Sequence, residues 1–147
     1  MKIILVAIAL LCTTNLLAEC PSVTGTYKCP ESVWKLLDSQ DGIVEIERNP
    51  FGKSFTFTSG GESTRYPELN WLLVDSVTNG DITTQIQTHA VCTGNLVKLK
   101  AKITDTMNDI DVHTEEEMRI KGNAQGISLD FHIAGDSLIK VNCQTQE

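Results

Sequence analysis

One carboxylate stands where an apolar side chain is due. In the stretch LVKLKAKITDTMNDIDVHTEEEMRIKG, Leu96 to Gly122, the residues Val97, Leu99, Ala101 and Ile103 alternate with Lys98, Lys100 and Lys102. Further on, Val112, Thr114, Glu116, Met118 and Ile120 alternate with His113, Glu115, Glu117, Arg119 and Lys121. A two-residue period puts successive side chains on opposite faces of a strand, so Glu116 shares the inward parity. An anion among apolar side chains is costly, and burial raises the pKa of a carboxyl group. Two readings follow. Glu116 is a polar handle in a ligand cavity, with Thr84, Thr88 and Thr114 around it. Alternatively it marks a bulge, or a strand end where the side chain reaches solvent.

Other reactive residue types form no constellation. His89, His113 and His132 all read as outward by parity, whereas a haem or metal site needs convergent ligands. There is no Gly-x-Ser-x-Gly, no phosphate loop and no His-Glu-x-x-His. The expectation is therefore a non-enzyme without cofactor or metal. Asp109 and Asp111 in MNDID resemble part of a calcium loop but lack its glycine and its terminal glutamate. Trp34, Trp71 and Phe51 lie outside the clean strands, where they would line a barrel mouth or plug one end of the core.

The elements that must position Glu116 belong to a 147-residue polypeptide opening MKIILVAIALLCTTNLLAEC. A single lysine, an apolar run from Ile3 to Leu11 and a cut after Ala18 read as a secretory signal peptide over residues 1–18, with one domain over 19–147. Glu19 before Cys20 argues against a lipoprotein signal, which wants a small residue there. Removing 1–18 takes one lysine and no acid, so the formal charge of −7 becomes −8. Such an acidic protein is a poor partner for nucleic acid or anionic membrane. No second apolar run is long enough to span a bilayer.

Cys12 leaves with the signal; Cys20, Cys29, Cys92 and Cys143 remain. Four cysteines in an exported protein read as two disulfides with three possible pairings. The favoured one is Cys20–Cys29 with Cys92–Cys143, the second pair tying the last strand to a mid-sequence strand. A zinc site would need other spacings.

Period-2 alternation recurs along most of the sequence. GTYKC is a short first strand, and Val33, Trp34, Leu36 and Leu37 then fall at helical spacing, which predicts a short N-terminal helix. Val44 and Ile46 lead through NPFG to Phe55 and Phe57 on the same apolar face. Pro67 ends the STRY strand, and NWLLVDS is an apolar run of undecided type. TNGD turns into ITTQIQTHAVC. Ile127, Leu129, Phe131 and Ile133 form one strand, and Ile139, Val141 and Cys143 the last. The fold class is thus all-β: an antiparallel up-and-down meander of about eight to ten strands. Closing it into a barrel, the first strand against the last, removes both exposed edges. A β-sandwich is the alternative, but it needs longer crossovers.

The segment SVTGTYKC, a Gly-x-Tyr just before the first strand, resembles the Gly-x-Trp start of the lipocalin (calycin) superfamily. The set CPSVTGTYKC, CTGN and VNCQ also resembles short secreted bacterial proteins with a CP…GTYxC opening, a mid-sequence C-x-G-N and a late cysteine. The resemblance implies a lipocalin-like barrel that binds small apolar molecules. The expected function is accordingly that of an exported binding protein for a small apolar or amphipathic ligand. Its inward residues Glu116, Thr84, Thr88, Thr114, Met118, Phe55, Phe57 and Phe131 would line the cavity. The alternative is a filled barrel acting as a protein-interaction module, for instance a protease inhibitor.

Overall fold

A computed structural model describes residues 20–147. The expected signal peptide over residues 1–18, Cys12 included, lies outside them. Ten antiparallel strands run β1 Gly25–Lys28, β2 Ile43–Asn49, β3 Ser54–Ser59, β4 Glu62–Pro67 and β5 Leu72–Asn79. They continue with β6 Ile82–Thr93, β7 Leu96–Met107, β8 Ile110–Asn123, β9 Gly126–Ile133 and β10 Asp136–Thr145. All belong to one sheet in the order β4-β3-β2-β1-β10-β9-β8-β7-β6-β5.

The first and last strands do pair, Tyr27 opposite Thr145 and Lys28 opposite Gln144. The expected closed barrel is nevertheless corrected, because the meander breaks elsewhere. β4 and β5 are the two edges of the sheet, and no ladder joins them. β4 is short and ends at Pro67, which has no N–H to offer a neighbour. The sheet instead folds over on itself, sandwich-like. Thr88 in β6 donates its hydroxyl to the Arg65 carbonyl (2.6 Å), and the His89 ring lies 2.9 Å from the Pro67 carbonyl.

The fold-over encloses one core. Val44, Ile46, Phe55, Val97, Ile120, Ile127 and Leu129 are fully buried, and each occupies the inward parity of its strand. Burying a side chain of this size stabilises by about 1.5–3 kcal/mol. Outside, the β7–β8 register sets Lys100 against Glu117 and Lys102 against Glu115. Glu117 is held by Lys100 (3.4 Å) and Arg119 (2.5 Å). Burial alone would raise its pKa, but the Arg119 hydrogen bond and charge, with Lys98 and Lys100, hold it below the usual carboxylate value. β7 and β8 run right up to their turn: Met107 pairs with Ile110, and only Asn108 and Asp109 make the turn, both with positive φ. That is the backbone signature of a two-residue type I′ turn.

Each end of the folded sheet is covered by a connection. At one end the segment from Cys20 to Thr24 crosses beneath, with Val23 buried. Tyr27 turns back over it and donates its hydroxyl to the Val23 carbonyl at 2.9 Å. The ring lies so close over Gly25 that a Cβ there would touch it, which accounts for glycine two residues before the tyrosine. At the other end lies the β1–β2 connection. The expected helix is absent; Glu31–Val33 form one 3-10 turn. Only Val33 and Leu37 of the apolar quartet are buried, and Leu36 is exposed. The run is too short for helix to outlast a single turn. It is pinned by Trp34 Nε1 donating to the Cys29 carbonyl (2.9 Å) and by Ser59 donating to the Leu37 carbonyl (2.7 Å). Gly60, at positive φ, passes the Asp38 carbonyl where no Cβ would fit.

The four cysteines form two disulfides, but not the favoured pairs: Cys20 joins Cys92, and Cys29 joins Cys143. The β1–β10 register explains the second. It carries on from Lys28 opposite Gln144 to Cys29 beside Cys143, with Cα atoms 4.2 Å apart. The first ties the crossing segment to the end of β6. The bridges span sequence separations of 72 and 114 residues. By loop-closure entropy each stabilises by roughly 4–5 kcal/mol.

Candidate functional site

The inward face of β7 and β8 is longer than the core it covers. At the Val23 end it is buried at Val97, Leu99, Met118 and Ile120. Halfway along, β9 stops, and Glu116 stands on the last inward rung that β8 shares with it, opposite Ile133. The ladders on both sides of Glu116 are regular, Ala101 on one side and Ile133 on the other. No bulge turns the residue. It is exposed because the cover ends beside it.

A cavity of about 280 Å³ opens at this point. Its apolar walls are Phe57 from β3, Leu99 and Ala101 from β7, Met118 from β8 and Phe131 from β9, joined by Leu36, Leu37, Ile133 and Leu138. Its polar groups come from Asp38, Glu62, Thr64, Tyr66 and Glu116, with Ser59, Glu117 and His132 also in the lining. Tyr66 is the most perturbed of these. Burial pushes its phenol up to about 12, and the negative charge of Glu116 adds to the shift. A neutral phenol and a carboxylate thus face a mostly apolar hollow, the usual make-up of a small-molecule site.

The structure brings together four of the eight residues singled out from the sequence: Glu116, Met118, Phe57 and Phe131. Phe55 is wholly in the core. Thr88 is buried and engaged with Arg65 at the fold-over. Thr114 is half-buried opposite Ile103, further along β8 than the cavity lining. Thr84 donates to Asp105 (2.6 Å) in a separate open hollow walled by Val77, Ile82, Met107, Ile110 and Val112. Glu62, Thr64 and Tyr66 also line the cavity beside Glu116, and their alternation with Ser63 and Arg65 puts the three on one face of β4.

Of the histidines, His132 is not on the surface as parity implied. It is buried, with Nε2 3.1 Å from Asp130 Oδ1. Trp71 stacks near His89 at 5.4 Å between centroids, and Phe51 is fully exposed at the β2–β3 turn. Neither tryptophan lines the cavity. Among the described residues, no group of three or more His, Cys, Asp and Glu is gathered to hold a metal, and no helix is long and apolar enough to cross a membrane.

The fold and site define an all-β, doubly disulfide-bridged single sheet with an apolar cavity at one end. Compared with family models, curated proteins and solved structures, the protein matches none of them.

Proposed function

We propose that this is an exported, non-catalytic binding protein that holds a small apolar or amphipathic molecule in the cavity beside Glu116. The observation that carries the reading is the cavity itself. Phe57, Leu99, Met118 and Phe131 converge from four strands on one hollow, and Tyr66 and Glu116 supply polar groups beside them. Capture is an equilibrium matter of apolar burial plus orientation at the polar end. The two disulfides suit an oxidising compartment, which agrees with the signal-like residues 1–18. The lipocalin-like Gly25-x-Tyr27 start supports the same reading, since Tyr27 seals the end opposite the cavity.

The test is titration of the purified protein with the neutral fluorophore N-phenyl-1-naphthylamine. The expected result is saturable, one-to-one fluorescence enhancement that Ala101→Phe abolishes by filling the hollow, with the thermal melt of the variant retained. Absence of saturable uptake by the wild-type protein would overturn the reading.

A second reading, a protein-interaction module, is favoured by one separate observation. The inward face of the β5–β8 ribbon beyond the core leaves Val77, Met107, Ile110 and Val112 exposed, and β5 is exposed along its whole length. Contiguous exposed apolar surface marks contact sites in soluble proteins. That reading predicts no probe uptake.

A further inference from the structure

The cavity is lopsided in charge. Asp38, Glu62, Glu116 and Glu117 contribute to its lining, and no lysine or arginine does. The only other ionisable side chains there, among the described residues, are His132 and Tyr66. Glu117 is neutralised by Lys100 and Arg119, and His132 lies against Asp130. Tyr66 stays a neutral phenol at ordinary pH, since its pKa is pushed up to about 12. That leaves Asp38, Glu62 and Glu116, none of which has an ion-pair partner among the described residues. They reach the cavity from three separate elements: the β1–β2 connection, the start of β4 and the middle of β8.

We infer that the ligand class is a cationic amphiphile, an apolar body carrying an ammonium group, rather than a fatty acid or other apolar anion. The inference rests on the cavity reading above and adds the sign of the head group. The apolar body lies between Phe57, Met118 and Phe131, and the ammonium faces Glu116 and Glu62. An ammonium brings three donors and a charge opposite to the uncompensated carboxylates. A carboxylate head would meet like charge with no basic residue to receive it, which is how a site rejects the wrong partner. A volume of about 280 Å³ suits an alkyl tail of about eight carbons, since liquid water takes roughly 30 Å³ per molecule and a methylene group about as much.

The experiment is displacement of bound N-phenyl-1-naphthylamine at neutral pH by three ligands of equal length: n-octylamine, 1-octanol and octanoate. The expected order is amine tightest, by about tenfold over the alcohol, with octanoate weakest, as expected for two solvent-exposed charge contacts. About 0.5 M sodium chloride should shrink the gap by screening. The double variant Glu62→Gln, Glu116→Gln should close most of it, chiefly by weakening the amine. If octanol or octanoate equals or exceeds the amine while the probe still binds, the charge inference is overturned and the cavity reading stands. If the probe never binds, both fall together.

Discussion

Glu116 and Tyr66 are linked through the electrostatics of one hollow, and that link can be read by titration. The protein has only two tyrosines. Burial raises the pKa of Tyr27, and burial together with the Glu116 charge pushes Tyr66 up to about 12. The folded protein should therefore show less tyrosinate absorbance at pH 10 than the unfolded protein, which titrates there. A raised folded-state pKa means the folded state holds its proton longer than the unfolded one. Stability is then complete below about pH 10 and falls as the pH rises through about 12. Glu116→Gln should lower the Tyr66 midpoint towards the ordinary value and leave Tyr27 where it was. An unmoved Tyr66 midpoint would show that the two groups do not face each other. The sequence placed Glu116 on the correct face by parity alone. It could not say that β9 stops opposite it, and that stop is why the side chain is exposed rather than buried.

At the scale of elements, alternation located the strands well. In the folded register Lys100 stands against Glu117 and Lys102 against Glu115, and a one-residue slip would bury that charged row. What period 2 does not encode is which strand lies beside which at the seam. The break therefore came between β4 and β5, whereas the pairing of first and last strands held. The cysteines failed for a related reason. Pairing by nearness in sequence ignores that Cys29 ends β1 just where β10 passes with Cys143. Non-reducing peptide mapping should recover Cys20–Cys92 and Cys29–Cys143. Replacing Cys29 and Cys143 together by serine should lower unfolding stability in urea by roughly 4–5 kcal/mol if loop-closure entropy dominates. A loss below about 1 kcal/mol would mean the unfolded ensemble stays compact without the bridge.

Over the whole molecule, the long hairpins β5–β6 and β7–β8 outrun the layer that covers them. Inward parity continues to Ile110 and Val112, yet these are 65% and 59% exposed, whereas Val97 on the same face of β7 is fully buried. Parity names a face but not how far its cover extends, so this overhang was not legible in the sequence. Serine at Ile110 and Val112 should shift the urea midpoint by less than about 0.5 kcal/mol of stability, while Leu129→Ala should cost about 2–5 kcal/mol. Comparable losses would mean the overhang is packed after all. The bridge pattern has a consequence for biosynthesis. A ribosome delivers Cys20 and Cys29 early, long before Cys143 exists to receive its partner. The two thiols that meet first are the two that must not stay joined. A premature bond between them has to be undone by thiol exchange before the polypeptide matures. Yield in a host lacking an isomerase should then be set by that reshuffling.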